Sequence, residues 1–333
     1  MFQIETIPTT LKGIPCPPID GKNLTFVPMA VSSGTDIRII DHEDPSVATE
    51  FVIGGHIANP AFCGAVHDDN LFLPTSHGVV IRADSYSGEV LDNTSGLAFA
   101  NSDLVVADTR LITITAIPIK TPTKLLSDNY AVRSYHIEEL NHYLQTCSFS
   151  GNVSNILPRH PVGVTFAAAG KVYHFDFAEA SLNEIFHIDS LFIRSIAKFG
   201  ERWLLITTKG LAYWLTESFD LIQNAELPGQ RYQPWQLEST ILLVSNRNVV
   251  EIKNDSIDTL NIFEDNDTVI QSSQAFGRIL FLVTNKGLFW YDSEEKKLAQ
   301  VEWQQPVLRL HSIPGRLLIL GRKQIGLVTE RTS

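Results

Sequence analysis

At 333 residues, 44% of them apolar and 19% charged, the chain holds enough material for a large soluble core. Its formal net charge of −11, without a long run of Lys or Arg, argues against a nucleic-acid backbone as the main partner. No stretch nears the ~18 uninterrupted apolar residues of a membrane-spanning helix. The opening MFQIETIPTTLKGIPCPP lacks the basic start and apolar core of a secretory signal. Cys16, Cys63 and Cys147 are odd in number, far apart and free of CxxC spacing, so buried thiols in a reducing cytosol are expected.

The chain begins with a strand candidate at residues 2–7 that has no hairpin partner beside it. Residues 9–22 are rich in Pro and Gly and read as irregular or edge structure. LTFVPMAVSSGTDIRIIDHE then gives strand, tip at Gly34 and strand, with ATEFVIG as a further strand. AVHDDNLFLPTSHGVVIRADSYSGEVL repeats the plan with its tip at Gly78. DLVVADTRLITITAI turns at Thr109-Arg110 without a glycine, and VGVTFAAAGKVYHFDF turns at Gly170.

Four clearer copies follow: RWLLITTKGLAYWLTES, TILLVSNRNVVEIKN, RILFLVTNKGLFWYD and LLILGRKQIGLVTE, with tips at Gly210, Asn248, Gly287 and Gly326. In each, an apolar run meets a polar tip and a second apolar run follows. That is a hairpin, with the tip glycine free to take positive φ. Asn248 is expected to replace glycine there, since Asn tolerates the left-handed region.

The eight tips fall 44, 32, 60, 40, 38, 39 and 39 residues apart. Four-stranded units of about 40–45 residues are the signature of a β-propeller. IRSIAKF and VLRLHSI read as inner strands before the hairpin, and LIQNAEL and KLAQVEW as outer strands after it. The hairpin runs LLILG, ILFLV and WLLIT are apolar on both faces, which blades covered by neighbours on both sides require. The last copy stops after its third strand. Residues 2–7 are therefore expected to complete it by pairing with residues 324–329, closing the ring and hiding an exposed edge. The expected fold is all-β, a single domain over residues 1–333 with eight four-stranded blades. Seven is the alternative if one irregular early copy is not a blade.

The 60-residue interval exceeds the late period by about 20 residues, an excess placed at residues 119–145 of blade three. There SYHIEELNHYL puts Ile137, Leu140 and Leu144 at i, i+3 and i+7, the spacing of one helix face. A loop and short helix are expected. Long structured loops often carry function, although such a helix can equally cap the ring. Tyr130, Arg133, Tyr135 and Tyr143 combine aromatic area with a planar donor, the residue types that dominate binding hot spots.

VVIRADSYSGEVL, residues 79–91, resembles the quinoprotein-like (PQQ-like) propeller repeat: strand, Ala-x-Asp, turn, Gly, strand. LFWYDSEEKKLAQVEW and VYHFDFAEASLNEIF are looser forms. The hairpin plan is also similar to WD40-like repeats, though their Gly-His and Trp-Asp signatures are not in register. What the resemblance implies is blade geometry. The vicinal cysteine pair and cofactor positions of quinoprotein dehydrogenases are missing, and fold does not carry function across.

No GxSxG elbow, P-loop, HExxH or GxGxxG after a strand is found. His67-Asp68-Asp69 falls at an inner-strand turn and reads as a solvated loop. Glu264-Asp265-Asn266-Asp267 lacks the spacing and terminal Glu of a calcium hand and reads as an acidic surface turn. Tyr173-His174 lies inside a strand, where a hydrogen-bonded structural histidine is the commoner case. Aligning the late inner strands brings Ser195, Gln233, Gln271 and Arg309 to equivalent places along a channel. That ring is polar and without the clustered carboxylates or histidines of acid–base or metal work.

The expectation is a non-catalytic, cytosolic β-propeller scaffold that binds protein partners, with no cofactor, metal, nucleic acid or membrane insertion. A channel-site enzyme acting on a sugar or small metabolite is the alternative. A periplasmic quinoprotein-like assembly factor is the third.

Overall fold

The computed structural model describes residues 2–8, 13–31, 34–44, 48–53, 64–74, 79–94, 101–117, 129–151, 153–159, 162–189, 191–238, 240–253, 256–263, 265 and 267–330. Two compact units divide the chain, Lys12–Ser190 and Leu191–Ser333 together with Met1–Leu11. Among the described residues each unit holds four antiparallel sheets and no helix. The fold is an eight-bladed β-propeller.

In the first unit, blade one has its first strand in two pieces, Ile14–Pro15 and Ile19–Asp20, interrupted by Cys16-Pro17-Pro18. Proline cannot donate to a ladder, so the strand breaks there, on an edge where this does least harm. Leu24–Val31, Gly34–Asp41 and Ala48–Ile53 complete the blade. Blade two is Ala65–His67, Asn70–Pro74, Val80–Asp84 and Val90–Asn93. Blade three is Asn101–Ala107, Arg110–Ala116, Asn129–His136 and Glu139–Ser150. Blade four is Val153–Arg159, Gly163–Ala168, Lys171–Asp176 and Ser181–His187.

In the second unit, blade five is Ile193–Phe199, Arg202–Thr207, Leu211–Leu215 and Leu221–Glu226. Blade six is Gln233–Gln236, Ile241–Val244, Val249–Lys253 and Ser256–Leu260. Blade seven is Ile270–Phe276, Ile279–Thr284, Gly287–Asp292 and Lys297–Gln300. Blade eight is Val307–Ile313, Arg316–Gly321 and Gln324–Glu330, and its fourth strand is Phe2–Pro8. The pairing expected of the termini is present, antiparallel from Phe2↔Glu330 to Pro8↔Gln324.

Apolar clusters form between successive blades, which is why the second strands are buried along most of their described length. Phe26, Ile37 and Ile53 of blade one meet Leu71, Leu73 and Ala83 of blade two. Leu204, Ile206 and Trp214 of blade five meet Leu243, Val250 and Ile252 of blade six. Both faces of Gly163–Ala168 and of Ile279–Thr284 are covered, as the sequence runs required.

Third strands end on a recurring carboxylate. Asp84 Oδ1 accepts from the Tyr86 and Ser87 amides and the Ser87 hydroxyl; Asp176 accepts from the Ala178 and Glu179 amides, and Asp292 from the Glu294 and Glu295 amides. Each satisfies amides that the turn strips from the ladder. This is the physical content of the Ala-x-Asp element, and the donated bonds hold the Asp84 and Asp176 carboxyls below the ordinary range.

Several turn assignments need correction. Gly210 and Gly287 do adopt positive φ, at 85° and 131°, but at the Gly170 tip the left-handed residue is Ala169, at 52°. Asn248 does not take positive φ. Its turn is closed instead by Ser245, whose Oγ accepts from the Asn248 amide at 2.9 Å, while Asn248 Nδ2 donates to the Pro228 carbonyl at 2.6 Å. Gly326 lies within Gln324–Glu330, not at a tip; a Cβ there would stand 2.7 Å from the Trp303 ring. Gly78 lies outside the described residues.

Arg110 follows the turn between the first and second strands of blade three, where Asp108 has φ 56°. The long connection between second and third strands is 117–128, of which only Ile117 is described. That offset produces the irregular 32 and 60 intervals. The helix expected in SYHIEELNHYL is absent: the segment is the hairpin Asn129–His136 and Glu139–Ser150. His136 pairs with Glu139 but Tyr135 with Tyr143, so a bulge turns Leu140 into the core and leaves Leu144 54% exposed. A turn with a bulge mimics helical spacing over two residues and fails at the third.

Candidate binding surfaces

Blade three holds the four residues singled out as a docking patch, and the structure separates them. Tyr135 is buried at 4% exposure among Phe72, Val80, Leu111 and Leu140. Burial pushes its hydroxyl pKa up, partly offset by the Arg133 guanidinium. Tyr135 is a core residue and no surface anchor. Tyr130 is half-buried, stacked on Phe149 with centroids 5.8 Å apart. Tyr143 is 52% exposed, with its ring edge-on to Tyr135 and the Arg133 guanidinium 5.9 Å above it.

Tyr143 and Leu144 belong to Glu139–Ser150, the longest strand among the described residues, and it is the last in its sheet order. The fourth strand of blade two runs alongside, joined where the Leu140 amide donates to Asp92 Oδ2 at 3.0 Å. It adds Val90 and Leu91, 45% and 48% exposed. Two adjacent outer strands thus show apolar side chains beside the carboxylates of Glu89, Glu138 and Glu139. The sequence pointed to Tyr143 but missed Val90 and Leu91, because outer strands alternate too weakly to reveal which residues the next blade leaves bare.

The four channel positions lie on the first strands of blades five to eight. Pairing sets Ser195, Gln233, Ser272 and Arg309 opposite Ile206, Val244, Val283 and Leu320. Ser272, not Gln271, is therefore the equivalent of the other three. Gln271 occupies the bulge between Ile270 and Ser272, as Arg194 and Leu308 do in blades five and eight. One inserted residue shifts the face of everything after it. These strands are cross-linked by side chains: Trp235 Nε1 donates to Ser273 Oγ at 2.7 Å, and Gln274 Nε2 to Ser312 Oγ at 3.2 Å.

Chemistry-bearing groups are engaged in structure. His67 and Asp68 form the turn between the first two strands of blade two, 3.5 Å apart, with Asp68 at φ 49°. Glu264 and Asn266 lie outside the described residues. Asp265 accepts from the Thr268 amide and hydroxyl, and Lys286 Nζ sits 2.8 Å away, which with Thr268 holds its pKa at about 2. His174 Nδ1 lies 3.3 Å from Thr165 Oγ1 inside blade four. Thr25 Oγ1 bonds Asp20 at 2.8 Å and His42 at 2.9 Å, a hydroxyl–imidazole–carboxylate set in which the Thr25 hydroxyl is fully buried. Among the described residues no three His, Cys, Asp or Glu side chains gather as metal ligands.

Nothing in the sequence marks a groove of 680 Å³ between blades seven and eight. Its apolar wall is Phe2, Ile4, Phe281, Trp290, Val301 and Val328, and Phe2 meets the Phe281 and Trp290 rings edge-on at 5.8 and 6.0 Å. Arg278, Lys297, Glu238, Asp292, Glu295 and Glu302 form its polar rim. Phe2 and Trp290 come from opposite ends of the chain, so only the terminal strand pairing creates this site.

No family model matches the chain, and no curated protein matches it in sequence. Solved structures match its fold. BamB from Moraxella catarrhalis is similar with a TM-score of 0.71 at 11% identity, over 100% of this chain and 99% of that one. The computationally designed Ika8 protein gives 0.70 at 12%, over 96% and 97%. The β-propeller domain of Cps50 (Swd1) from Myceliophteria thermophila gives 0.55 at 14%, over 83% and 97%. At these identities the likeness shows the fold alone. The fold they share with this chain is the β-propeller.

Proposed function

We propose that this protein is a non-catalytic platform that docks other proteins along the outer strands of blades two and three, within a cytosolic assembly. The observation that carries the reading is the run of half-exposed Val90, Leu91, Tyr143 and Leu144 on two adjacent strands. Large apolar side chains left exposed on neighbouring outer strands are candidate contacts for a partner. Glu139–Ser150 is the last strand of its sheet, and the part of its edge beyond the Leu140–Asp92 contact is one on which a partner strand can pair. Neither Cys16 nor Cys147 is in a disulfide, in keeping with a reducing compartment, while Cys63 lies outside the described residues.

The test is quantitative affinity purification of the full chain beside a Tyr143→Ser, Leu144→Ser double variant of unchanged melting temperature. Partners should fall by about tenfold or more, since removing a hot residue costs about 1–2 kcal/mol or more. A folded double variant that recovers every partner at wild-type level overturns the reading.

A further inference from the structure

We propose that the groove between blades seven and eight is a second docking site, and that its occupant is an extended, basic peptide with apolar residues at alternate positions. The proposal is independent of the outer strands of blades two and three. It starts from Phe2–Pro8, which pairs with Gln324–Glu330 on one side and is last in its sheet. Its other edge offers backbone donors and acceptors to an added strand. Phe2 and Ile4 line the groove, whereas Gln3 and Glu5 are exposed and outside its lining. A strand added along this edge keeps the same period of two, so every second side chain enters the groove.

Inside, that side chain meets the half-buried Phe2, Ile4 and Trp290, which lie over the buried Phe281, Val301 and Val328 and suit an aromatic or branched aliphatic anchor. A volume of 680 Å³ is ample for one or two such anchors. Charge selects the rest of the peptide. The rim carries three exposed carboxylates, Glu238, Glu295 and Glu302, against the two cations Arg278 and Lys297, and a fourth, Asp292, is buried. Arg278 is already held by Asp292 at 3.0 Å, Glu294 at 2.9 Å and Glu295 at 3.6 Å. Lys297 lies over the Trp290 ring at 5.8 Å. The carboxylates of Glu238 and Glu302 therefore face the occupant, and a peptide with Lys or Arg flanking its anchors complements them.

The full-length protein is titrated with fluorescein-labelled Lys-Val-Lys-Leu-Lys-Phe-Lys and followed by anisotropy. The controls are a block peptide of the same composition, Lys-Lys-Lys-Lys-Val-Leu-Phe, and the acidic Glu-Val-Glu-Leu-Glu-Phe-Glu. The alternating basic peptide should bind more tightly than either. A Glu238→Lys, Glu302→Lys variant, altered only at exposed positions, should bind it about tenfold more weakly, as expected for opposing charges at a rim. Trp290→Ser should weaken it further. Glu139→Lys on blade three is the control for net charge and should have little effect. The proposal is overturned if the block or acidic peptide binds as tightly, or if Glu139→Lys weakens binding as much as the rim pair. Absence of binding to wild type at about 1 mM, the weak limit of specific association, also overturns it. Should Trp290→Ser unfold, the rim pair alone decides.

Discussion

Lys296 Nζ lies 2.6 Å from Glu251 Oε2, tying the third-to-fourth turn of blade seven to the third strand of blade six. The Glu251 side chain is only 7% exposed and that of Lys296 46%. Burial disfavours the Lys296 charge, yet the bond to Glu251 and the neighbouring Tyr291 leave its pKa raised overall. Removing the lysine strands a carboxylate in a buried place. Lys296→Met should cost about 2 kcal/mol, below the 3–5 of a fully buried pair because the lysine is half in water. Glu251→Gln should cost less, since no bare charge remains. Urea denaturation of both variants and of the double variant checks this; equal costs for the two single changes would contradict it.

Strand Phe2–Pro8 supplies the fourth strand of blade eight and sets Phe2 against Phe281 and Trp290. Deleting residues 1–8 should lower the melting temperature sharply, by a large share of the ~5–15 kcal/mol that a folded protein holds in reserve. It should also promote association through the bared edge of Gln324–Glu330. Calorimetry with light scattering tests both. An unchanged melting temperature would show that the strand contributes little.

Tyr135 and Tyr143 touch edge-on, yet substitution should separate them. Tyr135→Ala empties a buried site and should cost about 3–4 kcal/mol. Tyr143→Ala, more than half exposed, should stay within about 0.5 kcal/mol. Chemical denaturation of the two variants reads the difference directly.

Asp265 titrates at about 2 in the folded chain, below the ordinary 3.8. A carboxyl with a depressed folded pKa adds stability above its ordinary value and loses it as pH falls through the folded one. Its contribution is therefore complete above about pH 4 and fades toward pH 2. Asp265→Asn should flatten the melting-temperature profile in that window while leaving its slope near neutrality alone. An unaltered acid limb would assign the loss to other carboxylates.

The number of blades was legible in the sequence although several turns were misplaced, because blade strands covered on both sides must be apolar on both faces and must recur at the blade's own period. The orphan strand at residues 2–7 was legible for the same reason: one blade was a strand short. Aspartates at the ends of third strands could also be read, since a turn that strips amides from a ladder requires a local acceptor.

Faces and neighbours were decided only by tertiary structure. Gln271 and Ser272 exchange roles because one bulged residue reverses the alternation, and nothing local marks the bulge. Leu140 is buried and Leu144 exposed for the same cause, where the sequence spacing suggested one helical face. Tyr135 looked like Tyr143 in composition, and only the packing of blade two against blade three hides the one and bares the other. The groove lined by Phe2 and Trp290 joins the two ends of the chain, so its apolar wall is complete only once the last blade has taken the first strand.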